Sequence, residues 1–122
     1  MFNFWIYQQG IGPGYPNEIL QSVTIEKVTH EKCQRWYDLI EDEVTERMIC
    51  AGGSGEAGAC KGDSGGPLTA QTADGETVLV GVVSWGRGCG LYGYPNVFVN
   101  VANPEIRLFI LEQIVDAGKN VK

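Results

Sequence analysis

Residues 58–70, GACKGDSGGPLTA, place a single serine among four glycines. This serine, Ser64, follows Asp63, and a serine hydroxyl becomes a strong nucleophile only when a general base takes its proton. The chain contains one histidine, His30. Nucleophilic catalysis at Ser64 therefore needs His30 as its base, or a base that lies outside these 122 residues.

Two short motifs overlap this region, and we interpret both as chance matches. Residues 62–66 match G-x-S-x-G, the nucleophile elbow of α/β-hydrolases, which needs a helix directly after the serine. Here two glycines and Pro67 follow and oppose a helix. Residues 53–58 match G-x-G-x-x-G, but a cysteine, further glycines and a proline come next. A dinucleotide site needs a βαβ unit at that point.

The order His30, then Asp38 or Asp42, then Ser64 reproduces one known chain order of a catalytic triad. His30, however, begins a polar helical stretch in which acidic residues are abundant. A single histidine in that setting is typical of an exposed surface position. The sequence therefore predicts that His30 is not the base for Ser64.

Length, composition and charge narrow the class of protein. A chain of 122 residues suits one domain with a modest core, and its 17 glycines, mostly in short clusters, predict many turns and short strands. The formal net charge is −6 and no basic stripe is present, which argues against a nucleic-acid partner. No apolar run approaches the roughly 20 residues that cross a bilayer. We therefore predict neither a nucleic-acid partner nor a membrane span.

The four cysteines are well spread along the chain: Cys33, Cys50, Cys60 and Cys89. None forms a C-x-x-C pair and one histidine cannot complete a zinc set, so we predict no metal site and no cofactor. An even number of cysteines fits two disulfides, which form in oxidising compartments. Three pairings are possible, and sequential pairing closes the shortest loops. The first ten residues nevertheless lack the features of a signal peptide, so we expect the chain to be incomplete at its front end.

Hydrophobic patterning predicts mainly strands in the first two thirds of the chain. Residues 20–28 alternate as in a strand, and residues 29–42 are helical in composition, with Thr29 as the N-cap. Asp74-Gly75 predicts a hairpin with a type I′ turn between strands 68–72 and 77–85, the second of them apolar and buried. Glycine-rich loops are expected at residues 10–17, 52–66 and 86–94.

Residues 95–122 predict one more strand and a final helix. Val97, Val99 and Val101 alternate on one side of the strand. The sequence Asn103-Pro104-Glu105 is typical of a helix start, and apolar residues follow at helical spacing over 104–117. We expect the apolar face of this helix to dock onto the sheet. The fold class predicted from patterning is an antiparallel all-β domain with a short mid-chain helix and a C-terminal helix.

The stretch from Met48 to Val101 resembles the C-terminal half of a trypsin/chymotrypsin-like serine protease. Its blocks MICAGG, CKGDSGGPL, GVVSWGRGCG and YPNVFVNV follow the family's order and spacing. The similarity continues more weakly through the Cys33 helix and the final helix. It implies that residues 1–122 form the second of the family's two six-stranded Greek-key β-barrels, with the first barrel absent.

The resemblance implies a role for each residue of the GDSGG block. Ser64 matches the nucleophile, and the backbone N–H groups of Gly62 and Ser64 match the oxyanion hole. Asp63 matches the aspartate that pairs with the new N-terminal amine after the zymogen is cut. The family's disulfides correspond to Cys33–Cys50 and Cys60–Cys89, the second of which ties the walls of the specificity pocket together. A third family bridge has no counterpart, because Ala70 occupies one of its positions.

The resemblance also implies a substrate pocket, formed by Gly58, Ala59, Lys61, Ser84, Trp85, Gly86, Gly88 and Asn96. Gly58 replaces the aspartate with which trypsin-like enzymes bind arginine or lysine, so that specificity is not expected. Asn96, where many members have glycine, would bring a neutral amide into the pocket. We therefore expect an apolar or neutral side chain before the scissile bond. The Ser84–Gly86 strand would pair with the substrate backbone.

In this family the catalytic histidine and aspartate lie in the first barrel, and neither that barrel nor an IVGG-type activation site is present here. Phe4-Trp5-Ile6 also departs from the family's G-W-G strand. We therefore expect a secreted serine endopeptidase whose 122 residues alone are inactive. The alternative is a non-catalytic homologue that binds peptides or proteins. Partners implied are a peptide or protein substrate, a first-barrel chain or a protease inhibitor.

Overall fold

A computed structural model describes residues 3–11, 15–55, 58–59, 63–86 and 92–119, with the backbone alone for 3–11, 15–20 and 119. Six strands form a closed antiparallel barrel, confirming the predicted fold class. The elements are β1 (Asn3–Ile11), β2 (Tyr15–Val28), α1 (His30–Asp38), β3 (Met48–Ala51), β4 (Pro67–Gln71), β5 (Thr77–Trp85), β6 (Asn96–Asn100) and α2 (Pro104–Lys119). The order around the barrel is β1-β2-β3-β6-β5-β4, and β1 closes it by pairing with β4 through Trp5 and Ile6.

The first loop is shorter than the sequence predicted. β1 continues to Ile11 and β2 already begins at Tyr15, with Ile11 opposite Tyr15 and Gly10 opposite Pro16. The glycines and prolines of residues 10–17 indicate turns, but extended pairing between two long strands overrides most of that local preference. The prediction of a loop is therefore wrong for residues 10–11 and 15–17, which lie in strands. Residues 12–14 lie outside the described part of the chain.

Strand β6 lies between two packed clusters, so both of its faces are buried, whereas the alternating valines predicted one apolar face. Phe98 is buried inside the barrel with residues such as Leu68 and Val83. Its neighbour Val97 points the other way and is also buried, in a second cluster that includes Tyr37. Successive side chains of a strand face opposite sides, so both sides of β6 are covered here. α1 supplies the cover on the outer side.

Helix α1 begins as predicted and ends earlier. The Thr29 side chain accepts a hydrogen bond from the Lys32 N–H at 3.3 Å, which satisfies an N-terminal donor. The helix stops at Asp38 rather than near residue 42. Gln34 explains the early end, because its side chain accepts from the Val44 N–H at 2.8 Å and donates to the Asp42 carbonyl at 3.2 Å. These bonds fold the following segment back against the helix.

A disulfide joins α1 to β3 through Cys33 and Cys50, whose Cα atoms are 6.4 Å apart. This confirms one of the two predicted bridges. Both cysteines are buried, so the bridge fastens the inner face of α1 to the barrel wall. The other predicted bridge, Cys60–Cys89, lies outside the described residues.

The hairpin between β4 and β5 has a different turn from the predicted type I′. Gly75 has φ +83°, but Asp74 is not among the described residues with positive φ. The Gly75 N–H donates to the Thr72 carbonyl at 3.0 Å, and the Thr72 N–H donates to the Glu76 carbonyl at 2.8 Å. This is a longer connection with glycine in the left-handed position. The longer loop spares Asp74 a strained conformation.

Strand β5 is buried in its second half only. Gly81 and Val83 are buried, whereas Val78 and Leu79 are 38% and 48% exposed. The first half belongs to the β4–β5 hairpin, where the described residues cover Val78 and Leu79 only in part. The prediction of a strand buried throughout is therefore wrong for residues 77–79.

Helix α2 is capped as predicted, but its apolar face does not dock onto the sheet. The Asn103 side chain accepts from the N–H groups of Glu105 and Ile106 at 3.0 and 3.3 Å. Arg47 forms an ion pair with Glu105, which ties the first turn to the segment before β3. Beyond that turn the exposed fraction of the large apolar side chains is 48–62%: Leu108, Phe109, Leu111, Ile114 and Val115. Only Ile106 and Ile110 are half-buried.

Candidate active site

Ser64 is exposed in a tight turn between β3 and β4, directly after the buried Asp63. The Gly66 N–H donates to the Asp63 carbonyl at 2.9 Å and closes the turn. Gly65 has φ +84°, a conformation that a residue with a side chain rarely adopts. Asp63 also has a further interaction partner in the structure. The turn thus presents a hydroxyl to solvent from a fixed backbone.

The Ser64 turn is attached to β5 at Val83. The Gly65 N–H donates to the Val83 carbonyl, and the Val83 N–H donates to the Gly66 carbonyl, both at 2.9 Å. The next residue of β5 is Ser84, which is exposed. The structure therefore places the exposed serine of the GDSGG block close to the start of the Ser84–Gly86 stretch.

Trp85, the second residue of that stretch, rests against α1. Its ring lies 4.9 Å from the ring of Tyr37, measured between centroids, in an edge-on arrangement. The Tyr37 hydroxyl is buried and donates a hydrogen bond to the carbonyl of Pro95. A third ring, that of Tyr94, lies 6.4 Å from Tyr37. One helix residue therefore supports both β5 and the start of β6.

Asn96 and Ala59 are joined by two hydrogen bonds. The Asn96 Oδ1 accepts from the Ala59 N–H at 2.9 Å, and the Asn96 Nδ2 donates to the Ala59 carbonyl at 3.4 Å. Asn96 and Ala59 are 7% and 3% exposed, and Gly58 is also buried. Of the predicted pocket residues, the structure thus brings Ala59 against Asn96. The predicted site residues Cys60, Lys61, Gly62, Gly88 and Cys89 lie outside the described residues.

His30 is the first residue of α1 and is exposed, as the sequence predicted. It lines a cavity of about 430 Å³ together with residues such as Lys27 and Glu46. Among the residues that the structure describes, no hydrogen bond joins His30 to Ser64, and Ser64 does not line this cavity. The Ser64 hydroxyl therefore has no hydrogen bond to the one imidazole of the sequence.

Neither a metal centre nor a membrane-spanning helix is found in the described part of the chain. Over residues 3–11, 15–55, 58–59, 63–86 and 92–119, no group of three or more histidine, cysteine, aspartate or glutamate side chains is placed to hold a metal ion. In the same ranges no helix is long and apolar enough to cross a membrane.

Sequence reasoning missed two residues that support the site. Tyr37 lies four residues after Cys33, so both occupy one face of α1, and that spacing was a usable signal. Gly53 has φ +87°, and a Cβ built on it would lie 2.9 Å from the Pro95 nitrogen. Nothing in the sequence distinguishes Gly53 from the other glycines of its loop, because the close approach is made by a residue 42 positions later.

Comparison with known proteins gives consistent matches. A family model described as "Trypsin" matches residues 5–106. Transmembrane protease serine 7 of Rattus norvegicus is 46% identical over 87 residues, which cover 70% of this chain and 10% of that protein. Trypsin-1 of Astacus astacus is 44% identical over 90 residues, covering 73% of this chain and 37% of that protein. Trypsin zeta of Drosophila melanogaster is 45% identical over 94 residues, covering 73% and 32%. The chain thus spans between a tenth and little more than a third of the length of these relatives.

Proposed function

Because the chain belongs to the trypsin family, we propose that it supplies the nucleophile and the substrate-binding surface of a serine endopeptidase. The family itself is that of serine proteases, which act on peptides or proteins. One observation carries the proposal for this chain. Ser64 is exposed on a turn, and the next two residues of that turn are hydrogen-bonded to β5 at Val83. A nucleophile needs this combination of access and fixed position.

In the established triad mechanism of this family, a histidine takes the serine proton while the oxygen attacks the scissile carbonyl carbon. Applied here, the Ser64 Oγ forms the bond to carbon, and the carbonyl oxygen becomes an anion facing the N–H groups of Gly62 and Ser64. Such donors stabilise the developing charge by a few kcal/mol each. The protonated base then gives its proton to the departing amine. Water hydrolyses the resulting acyl-enzyme and restores Ser64.

The base in this proposal comes from outside the 122 residues. His30 lies at the start of α1 without a hydrogen bond to Ser64, and it is the one histidine of the sequence. A first barrel, whether in a longer chain or a separate one, would supply the histidine and its aspartate. The 122-residue polypeptide alone is then inactive. Asp63 is proposed as the partner of the amine that activation cleavage releases, a role supported by its burial beside Ser64.

The surroundings of Ser64 define the proposed substrate contacts. Ser84, Trp85 and Gly86 continue from the strand that holds the Ser64 turn, so an extended peptide added along them reaches the nucleophile. Gly58, which carries no charge, and the neutral Asn96 favour an uncharged side chain before the scissile bond. Gly88 and Lys61 are proposed at the same pocket from the family resemblance. The Cys33–Cys50 disulfide supports a secreted protein, because disulfides persist in oxidising compartments.

The proposal is tested with two proteins: the 122-residue polypeptide alone, and the same polypeptide fused to the first-barrel half of a trypsin such as that of Astacus astacus. We expect the fusion to hydrolyse peptide substrates and the polypeptide alone not to do so. Ser64→Ala lowers kcat of the fusion by at least about 10⁴-fold. Ser54→Ala, at an exposed serine of the neighbouring loop, serves as the matched control and leaves kcat unchanged. Hydrolysis that survives Ser64→Ala contradicts the proposal, and peptide binding without hydrolysis in either protein favours the non-catalytic binding homologue.

A further inference from the structure

The carboxamide of Asn96 is fixed in one orientation. Its oxygen faces the Ala59 N–H at 2.9 Å and its nitrogen faces the Ala59 carbonyl at 3.4 Å. A flipped amide would set donor against donor and acceptor against acceptor, so these two partners define which atom is which. With 7% of its surface exposed, Asn96 is held as part of the interior rather than as a mobile surface side chain.

The same carboxamide reaches across to Gly86. A Cβ built on Gly86 would lie 3.1 Å from the Asn96 Nδ2 and 3.7 Å from the Pro95 carbonyl oxygen. The nearest atom to that position is therefore the Asn96 amide itself. Between the backbone of Ala59 on one side and that of Gly86 on the other, the Asn96 side chain fills the gap.

From this geometry we propose that Asn96 makes the pocket shallow, so that the enzyme accepts peptides with a small, neutral side chain before the scissile bond. The inference rests on the proposed function and takes Gly58–Ala59 and Ser84–Gly86, pocket residues that the family resemblance implies, as two walls of the pocket. It is narrower than the apolar or neutral class expected from the sequence, because it excludes large side chains as well as charged ones. We expect alanine, glycine and serine to be accepted at this position.

Two physical costs exclude the other side chains. A phenylalanine or leucine side chain would have to displace the carboxamide, which would leave both backbone groups of Ala59 buried without partners. An arginine or lysine side chain would meet a neutral amide and the uncharged Gly58, and a buried charge without a counter-ion is strongly disfavoured. A small, neutral side chain avoids both costs, because it neither displaces the carboxamide nor needs a counter-charge.

The support behind Asn96 keeps the amide from moving aside. Its neighbour Pro95 is buried, and the Pro95 carbonyl accepts the hydrogen bond from Tyr37. Gly53 packs against the Pro95 ring, because a Cβ built on this glycine would lie only 3.2 Å from the Pro95 Cδ. Rotation of the backbone at residue 96 would therefore disturb α1 and the loop after β3 together. The Asn96 side chain thus forms a rigid floor of the pocket, which selects substrates by size rather than adapting to each one.

The test measures binding, so it does not depend on catalysis. Three acetylated tetrapeptides that differ only in a C-terminal alanine, phenylalanine or arginine represent the cleaved products. Each is titrated into the ¹⁵N-labelled 122-residue chain, and the backbone amide signals of Ala59 and Gly86, which flank Asn96 and are present in every variant, report occupancy. We expect the alanine peptide to bind at least about 10-fold more tightly than the other two. A factor of about 10 corresponds to the loss of about one hydrogen bond on binding the larger side chain. In Asn96→Gly the phenylalanine peptide gains by a similar factor, so that the preference for alanine is lost.

A matched control is Asn100→Gly, which removes an asparagine from the other end of the same strand and leaves the preference for alanine in place. If Asn96→Gly does not fold, Asn96→Ala opens part of the same space and reduces the preference. Equal or tighter binding of the phenylalanine peptide by the unaltered chain overturns the inference, as does the absence of binding by all three peptides. The hydrolysis test at Ser64 is separate. Reaction there with a preference for large side chains refutes the shallow pocket alone, and selective binding without reaction refutes the catalysis alone.

Discussion

The hydroxyl of Tyr37 donates a hydrogen bond to the carbonyl of Pro95, 58 residues further along the chain. This bond links α1 to the residue before Asn96, at the start of β6. The helix is itself fastened to β3 by the Cys33–Cys50 disulfide. The position of the proposed pocket floor thus depends on an element that contributes no residue to the pocket.

Tyr37→Phe tests that dependence. The change leaves the ring packing in place but deprives the buried Pro95 carbonyl of its donor, so the free energy of unfolding should fall by about 2 kcal/mol. Urea denaturation followed by fluorescence measures it. Tyr92→Phe removes the same hydroxyl from a side chain that is 78% exposed and should change stability by less than about 0.5 kcal/mol. Equal effects of the two variants would show that the Tyr37–Pro95 bond contributes little.

The disulfide has a predictable contribution of its own. Cys33 and Cys50 are 17 residues apart, and closing a loop of that length reduces the entropy of the unfolded chain by an amount worth about 3 kcal/mol. The double variant Cys33→Ala/Cys50→Ala should therefore lose about that much free energy of unfolding, again measured with urea. A loss below about 1 kcal/mol would mean that α1 is held by packing rather than by the bridge.

Gly53 and Gly75 show two different reasons why a position needs glycine, and their alanine variants should differ in stability. Both have positive φ, of +87° and +83°, but a Cβ would meet Pro95 at Gly53 and nothing within 4 Å at Gly75. Gly75→Ala should cost about 1 kcal/mol from backbone strain alone. Gly53→Ala should cost about 3 kcal/mol, because overpacking is added to the same strain. The difference between the two, obtained from thermal or urea unfolding, isolates the contact with Pro95. A difference near zero would contradict the close packing of the Gly53 and Pro95 loops.

The exposed face of α2 predicts a contrast between two phenylalanines. Phe98 is fully buried in the barrel, and Phe98→Ala should lower the free energy of unfolding by about 4 kcal/mol. Phe109 on α2 is 60% exposed, and Phe109→Ala should change it by no more than about 0.5 kcal/mol. A large loss for Phe109→Ala in dilute solution would show that a cover forms over α2.

The barrel was predictable where local pattern and final packing agree. Thr29 and Asn103 are N-caps in the structure because an oxygen three residues from a free N–H makes that bond in any fold. The GDSGG block indicated the Ser64 turn for a similar reason, since its glycines permit the tight backbone.

The remaining features depend on contacts that local pattern does not encode. The burial of both Val97 and Phe98 follows from α1 packing outside β6, and the short α1 follows from Gln34 reaching Asp42 and Val44. The exposure of α2 was mispredicted because helical spacing shows which face is apolar but not whether another element covers it. Asn96 was expected in the pocket, yet its two bonds to Ala59, from 37 residues away, appear only in three dimensions.

The central claim is that Ser64 is the nucleophile of a serine endopeptidase and takes its base from outside these 122 residues. The most direct measurement is the site of covalent attachment of a fluorophosphonate probe, located by tandem mass spectrometry in the fused protein and in the 122-residue polypeptide alone. We predict one adduct per fused molecule, on Ser64, and none on the polypeptide alone. An adduct on another residue, or labelling of the polypeptide alone that disappears in His30→Ala, would contradict the claim.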